Sequence, residues 1–203
     1  MNEIRKIMIA TPCHDGKLPV EYVSSLLDTM RAQFPIIIAP VFLPGESMLP
    51  HARNYLASLF LQSDFDYIFY IDSDMVWTPE QFTKIARYDI DVISGLAHQK
   101  FDGSPLNFRA IEKETPNEKG LLKVNGVGSA FIKISKNTLI KIAKVSQKYQ
   151  INNIEYKSIF EYGNIKGEFI SEDIMFCKKL IKNGFDIIAD TSVIIGHIGN
   201  KIY

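Results

Sequence analysis

The stretch Phe65 to Met75, FDYIFYIDSDM, decides the fold. Its first part, Asp66 to Ile71, is almost unbroken in apolar and aromatic character and too short for a buried helix, so it reads as a strand. A strand apolar on both faces belongs inside a sheet covered by helices on each side, the usual setting of a parallel sheet. Asp72-Ser73-Asp74 follows at once. In open α/β sheets, ligands bind outside the carboxyl ends of the strands. Two carboxylates one residue apart at such an end can share a divalent cation, and hard oxygen donors suit Mg²⁺ or Mn²⁺. The same acids also suit a plain turn that ends a strand.

Working outward, the flanking pattern alternates strand and helix. Lys6 to Ala10 is a short apolar run ending at Thr11-Pro12, a strand followed by a loop. Val20, Val23, Leu27, Met30 and Phe34 recur at helical spacing, and Pro35 stops that helix. Ile36 to Phe42 is a second strand. Ala52, Tyr55, Leu56, Leu59 and Phe60 mark a second helix. Thr78 as N-cap with Pro79 at the first helical position opens a third. Asp91 to Leu96 is a further strand. Beyond residue 100 the pattern changes. Leu106 to Ile111 and Leu122 to Ile134 read as strands with no helix between them. Asn137 to Tyr149 and Ser171 to Asn183 read as helices, the latter closed by Gly184, and Phe185 to Ala189 as a last strand. Ile111 to Gly120 and Gln150 to Gly167 read as loops. The expectation is an α/β fold: an open mixed sheet flanked by helices, parallel in the N-terminal half, with an antiparallel addition in the C-terminal half.

The chain has 203 residues, with 23 basic against 23 acidic side chains. That length suits one domain, residues 1–203. Zero net charge argues against a general nucleic-acid binder. Two cysteines, Cys13 and Cys177, exclude a disulfide-rich scaffold and a four-cysteine zinc site. The longest apolar run, Ile36 to Leu43, is interrupted by Pro40, whereas a membrane-spanning helix needs about 20 residues. The apolar run near the N-terminus is too short for a secretion signal. A cytoplasmic protein with no transmembrane segment is expected.

Four further features could carry chemistry. Glu172-Asp173 falls in the first turn of a helix that starts after Ser171. A carboxylate there is favoured by the helix dipole alone, and it can also act as a general base for an attacking hydroxyl. Arg53, with Asn54, lies in the first turn of the second helix, where it suits a phosphate or nucleotide or merely a solvated face. Val124 to Ala130, VNGVGSA, places Gly126 and Gly128 where the backbone could approach a ligand closely or form a bulge. Phe131 occupies the third-glycine position, so this is not a dinucleotide fingerprint, and a Walker A loop is absent. His197, in VIIGHIGN, is a possible metal ligand or a turn residue. His14, His51 and His98 have no supporting pattern.

In their order and spacing these pieces resemble the GT-A-fold nucleotide-sugar glycosyltransferases, close to the family-2-like group and its small viral and phage members. The matching segments are IATP, PHARNYLA, FDYIFYIDSDM, VNGVGSAFIKIS, FISEDIMFCKKLIKNGF and DTSVIIGHIGN, which span nearly the whole chain. The resemblance implies a nucleotide-binding half over residues 1–100 and an acceptor and catalytic half over residues 101–203. It implies that Thr11 and Pro12 lie beside the base, that Arg53 lies near the nucleotide, and that Asp72 and Ser73 contact the donor. Asp72, Asp74 and His197 would hold Mn²⁺ or Mg²⁺. Gly126 and Gly128 would line the sugar site. Asp173, with its neighbour Glu172, would be the catalytic base of an inverting transfer. The donor would be a UDP-sugar and the acceptor a glycan or glycoconjugate. The chain departs from common family-2 openings at Thr11 to Lys17, where Asp15 and Glu46 are the candidates to grip the base. A sugar nucleotidyltransferase is an alternative, but it should carry a glycine-rich phosphate loop that IATPCHDGK lacks. A non-catalytic nucleotide- or glycan-binding module is another.

Overall fold

A computed structural model describes residues 5–32 and 34–202. The charged start, Met1 to Ile4, lies outside these residues. The elements run β1 (Arg5–Cys13), α1 (Val20–Arg31), β2 (Ile36–Pro44), α2 (Leu49–Gln62), β3 (Tyr67–Ile71), β4 (Met75–Val76), α3 (Pro79–Arg87) and β5 (Val92–Ala97). Then come β6 (Phe108–Ala110), β7 (Leu121–Val127), β8 (Phe131–Ser135), α4 (Lys136–Val145), β9 (Lys148–Ile151), β10 (Ile154–Lys157), β11 (Gly163–Ile165), β12 (Glu168–Ile170), α5 (Glu172–Lys182) and β13 (Ile187–His197). One sheet carries the strand order β2-β1-β3-β8-β5-β13-β7-β6, with β4 paired to β13. Strands β2, β1, β3, β5 and β13 run parallel, while β8 and β7 are antiparallel to their neighbours. The mixed α/β architecture expected from the sequence is therefore present. One antiparallel strand, β8, is inserted between β3 and β5, and β7 with β6 extends the sheet beyond β13.

The apolar strands alternate between two cores. Met8, Ala10, Ile68 and Tyr70 face α2, α4 and α5 through Leu56, Phe60, Leu139 and Phe176. Ile7, Ile9, Phe69 and Ile71 face α1 and α3 through Tyr22, Leu26, Phe82 and Ile85. Each strand thus buries both faces, which is why its sequence shows no polar alternation. Thr78 and Gln81 form a reciprocal capping box at the start of α3.

Several sequence expectations are revised. The buried face of α1 is Tyr22, Ser25, Leu26 and Thr29, whereas Val20, Leu27 and Met30 are exposed. The reason is polar: the Trp77 indole N–H donates to Thr29 Oγ1 at 2.9 Å and its backbone N–H to Ser25 Oγ at 3.1 Å. Two hydroxyl residues therefore belong to the core face, which an apolar periodicity cannot register. The run Leu122 to Ile134 is two strands, β7 and β8, broken at Gly128-Ser129-Ala130 and paired to different neighbours. The stretch Gln150 to Gly167 contains β9, β10 and β11 rather than loop alone. Asn152 and Asn153, at φ 50° and 63°, make the tight turn of the first hairpin. Strand β13 does not stop at Ala189. Its register shifts between Ala189 and Ile194, and Asp190, fully buried there, meets Lys84, Tyr88 and Ser192.

Candidate functional site

The carboxyl end of β3 is fixed by β8: the Asp72 amide donates to the Ala130 carbonyl at 3.0 Å. The chain then turns, with Met75 N–H bonded to the Asp72 carbonyl at 3.1 Å, so that Asp72, Ser73 and Asp74 all lie half-buried at the sheet edge. The short strand β4 pairs with the end of β13, setting Met75 opposite His197. This places a C-terminal histidine beside an aspartate more than a hundred residues earlier. The His197 ring is 3.4 Å from Asp74 through Nε2, and its Nδ1 donates to the His98 carbonyl at 2.8 Å. With Nδ1–H committed to the His98 carbonyl, a proton on Nε2 makes His197 a cation that donates to Asp74, and loss of that proton frees the Nε2 lone pair. Lys100 Nζ sits 2.5 Å from the same carboxylate oxygen of Asp74.

Asp72 has a different partner. Arg53, in the first turns of α2, is 2% exposed, and its Nη2 donates to both Asp72 oxygens at 2.9 Å. Its Nη1 donates to Glu172 Oε1, and the guanidinium lies over the Phe160 ring at 5.8 Å from the centroid. The Arg53 Nε is buried without a hydrogen-bond partner among the described residues. Arg53 is therefore neither a solvated helix residue nor a free phosphate ligand. It is the buried cation that ties α2, β3 and α5 together.

The two acids at the start of α5 separate in role. Glu172 is buried against Arg53. Asp173 turns the other way. Its Oδ1 accepts from Ser171 Oγ and from Ile174 N–H at 2.7 Å, while Oδ2 has no hydrogen-bond partner among the described residues. Ser171 occupies the N-cap position, yet its hydroxyl donates to Asp173 instead of accepting a backbone N–H. Asp173 lines a cavity of about 310 Å³ together with Gln99, Asn107, Arg109 and Gly128. Gly128 is required there: a Cβ on it would lie 2.5 Å from Asn107 Nδ2. Asn107 is itself fixed, its Oδ1 accepting from the Ala97 N–H at 2.9 Å and its carbonyl accepting from the Gly128 N–H at 2.9 Å. A Cβ on Gly126 would meet Ile174 Cδ1 at 2.9 Å, so this glycine allows α5 to lie close to β7.

The remaining expected residues lie at the end of β1. Thr11 and Pro12 continue the strand rather than starting a loop, and both are buried. The Thr11 hydroxyl is bonded to Tyr22 at 2.5 Å and does not reach the surface. Asp15 accepts from Lys17 N–H and Glu46 from Met48 N–H, so both shape local turns.

Charge follows this geometry. Burial pushes the Asp72 carboxyl above its ordinary value, and Arg53 pulls it back. Burial also works against the Asp74 carboxylate, but hydrogen bonds from His197 and Lys100 outweigh it and hold Asp74 below the usual range. Burial disfavours charged His197, yet the bonds to Asp74 and the His98 carbonyl raise its pKa. Two donors cis on one cation, each about 2.1 Å away, lie about 3 Å apart, close to the separation of Asp74 and His197. Among the described residues no three His, Cys, Asp or Glu side chains gather around one point. A cation held by Asp74 and His197 would therefore complete its shell with substrate oxygens and water, the habit of Mg²⁺ and Mn²⁺. Asp74 and His197 would offer such a metal two donors, the Asp74 donor being an oxygen that Lys100 now shares.

Three consecutive residues join the centre to the cavity: the His98 carbonyl orients His197, Gln99 lines the cavity, and Lys100 meets Asp74. Sequence reading missed Lys100, Asn107 and Arg109, which sit in polar or strand-like stretches with no motif to mark them.

No family model and no curated protein matches the sequence. Solved structures do match. The chain covers 96% of itself on 86% of A197 from STIV, at TM-score 0.65 and 18% identity. It also matches GalNAc-T7 solved with UDP, GalNAc and Mn²⁺, at TM-score 0.56 and 9% identity over 98% of this chain. A third match is S. aureus TarS 1–349 in complex with UDP-GlcNAc, at TM-score 0.53 and 12% identity over 91% of this chain. The fold is GT-A-like. The chain spans 44% of the GalNAc-T7 chain and 55% of the TarS chain, so the likeness concerns the shared fold. Among the described residues no helix is long and apolar enough to cross a membrane.

Proposed function

We propose that this protein is a metal-dependent glycosyltransferase that moves a sugar from a UDP-sugar to a hydroxyl of a glycan or glycoconjugate, with inversion. The observation that carries the reading is the run His98-Gln99-Lys100, which joins the Asp74–His197 pair to the cavity holding Asp173. A nucleotide-binding half (residues 1–100) and an acceptor half (101–203) would meet along this line.

Asp74 and His197 would hold Mn²⁺ or Mg²⁺, and such a cation supplies charge neutralisation for a departing diphosphate. Arg53, braced by Glu172, holds Asp72 in place at the donor side, with Ser73 in the turn between the two aspartates. Thr11 and Pro12 form the floor behind the base. Gly126 and Gly128 leave room for the sugar. Asp173 presents Oδ2 to the acceptor. In a single displacement, the acceptor oxygen forms a bond to the anomeric carbon as the bond to the diphosphate oxygen breaks, and the electron pair leaves with UDP. The acceptor proton passes to Asp173 Oδ2. Its removal comes late, because the transition state is oxocarbenium-like. The hydrogen bonds to Oδ1 hold the carboxylate in place without occupying the oxygen that accepts the proton.

The test is release of UDP from UDP-sugars with Mn²⁺ and an acceptor panel, comparing wild type with Asp173→Asn and Asp74→Ala. Asp173→Asn should lower turnover by about 10²-fold or more while sparing UDP affinity. Asp74→Ala should abolish the metal-dependent part. Pyrophosphate as the product would favour a nucleotidyltransferase, and UDP binding without sugar release would favour a binding module.

A further inference from the structure

A second, larger concavity of about 620 Å³ lies between α5 and the strands β6 and β7. It shares Arg109 and Ile174 with the cavity that holds Asp173, so the two adjoin. Lys178 and Lys182, four residues apart on one face of α5, form one wall; Arg109 and Asn125, from β6 and β7, form the other. Among the described residues no acidic side chain lines this trench. Neighbouring cations are neutralised: Lys179 pairs with Glu161 at 2.9 Å, Lys123 with Asp186 at 2.5 Å, and Lys100 with Asp74. Arg109, Lys178 and Lys182 have no ion-pair partner among the described residues.

A lysine in the last turn of a helix is favoured by the dipole, which accounts for Lys182. It does not account for Lys178, a turn earlier, nor for Arg109, which reaches the trench from a strand. In a chain of zero net charge, three uncompensated cations around one groove are a local excess. We propose that this trench binds an anionic group, phosphate, sulfate or carboxylate, carried by the acceptor. At about 1.5 Å of rise per residue, Lys178 and Lys182 lie about 7.5 Å and about 13.5 Å along the helix from Asp173. The anion therefore sits beyond the reacting hydroxyl, on the part of the acceptor that does not react. This assignment rests on the proposed role of Asp173 for its direction, but not for the binding itself.

The experiment separates the two. Amide chemical shifts of the ¹⁵N-labelled protein are followed at low salt, without donor, on titration with a 6-phosphorylated trisaccharide, the unphosphorylated trisaccharide, dodecyl phosphate and a single-stranded DNA oligonucleotide. The phosphorylated sugar or the dodecyl phosphate should shift Arg109, Asn125 and Lys178, and comparing the two tells a glycan-borne from a lipid-borne phosphate. The Lys178→Gln/Lys182→Gln variant, changed only at exposed positions, should weaken that binding about five- to tenfold, and 0.5 M salt should do the same. Equal binding of the neutral trisaccharide, no effect of the double substitution, or preferential binding of DNA would each overturn the proposal. If anion binding behaves as stated but no acceptor yields UDP, the trench stands and the transferase reading fails. If transfer proceeds with no preference for charged acceptors, the reverse holds.

Discussion

Removing the buried cation at the centre of the site should unfold the protein more readily than any surface charge change. Arg53 is 2% exposed and faces Glu172, whose side chain is 10% exposed, and Asp72, whose side chain is 25% exposed. Arg53→Met would leave two carboxylates near each other without their counter-ion. Breaking a buried pair by removing one partner costs about 3–5 kcal/mol. Most of that cost falls on Glu172, because water reaches a quarter of the Asp72 side chain and screens it. For a chain of this size each kcal/mol lowers Tm by about 2–4 °C, so a fall of about 6–20 °C is expected. Adding Glu172→Leu to Arg53→Met removes the stranded charge and should recover about 2 kcal/mol or more, although Glu172→Leu alone destabilises. Urea unfolding of the four proteins, read by circular dichroism, measures the coupling. Simple addition of the two single effects would refute the idea that the pair is one electrostatic unit.

Lys133 is fully buried on β8, bonded to the Tyr88 carbonyl and lying over the Tyr67 ring at 4.3 Å. Burial holds its ammonium down at about 7, against an ordinary 10.5. Between those values the unfolded chain binds more protons than the folded one, so this group makes stability rise with pH; below about 7 its penalty is complete. Lys133→Met should flatten that rise, by a few kcal/mol between pH 7 and 10, in urea titrations of both proteins. Cys177 is buried, and its thiol is pushed up to about 12, so iodoacetamide at pH 8 should leave it unmodified until denaturant is added, as mass spectrometry would reveal. Gly128→Ala should force the Asn107 amide away from Ala97, destabilising by about 1–3 kcal/mol and raising the acceptor KM with little change in UDP affinity.

The parts legible in the sequence were those governed by local pattern. Asp66 to Ile71 announced a doubly covered strand, and Thr78-Pro79 announced a helix start, because burial and capping leave marks within a few residues. The face of α1 was not legible, since Ser25 and Thr29 are core residues only because Trp77, some fifty positions away, needs their oxygens. The burial of Arg53 leaves no local mark for the same reason: its partner Glu172 is 119 residues distant. The insertion of β8 between β3 and β5 left no trace, because a buried strand has the same apolar composition whichever neighbours it joins. The division of labour between Glu172 and Asp173 was equally hidden, as both satisfy the helix dipole and only packing separates them.

The position of β8 has a consequence for how the molecule is made. Strands β3 and β5 emerge early from synthesis but are not neighbours, and the slot between them stays open until residues 131–135 arrive to fill it. The amide of Asp72 finds its acceptor, Ala130, only at that moment. A half-made chain thus exposes two unsatisfied sheet edges in its middle, the situation in which chains stick to one another and chaperones are recruited. Ordering of the rim that carries Asp72 and Asp74 and closure of the central sheet become one late event, so that a molecule in which that rim is ordered is also one whose interior has been sealed.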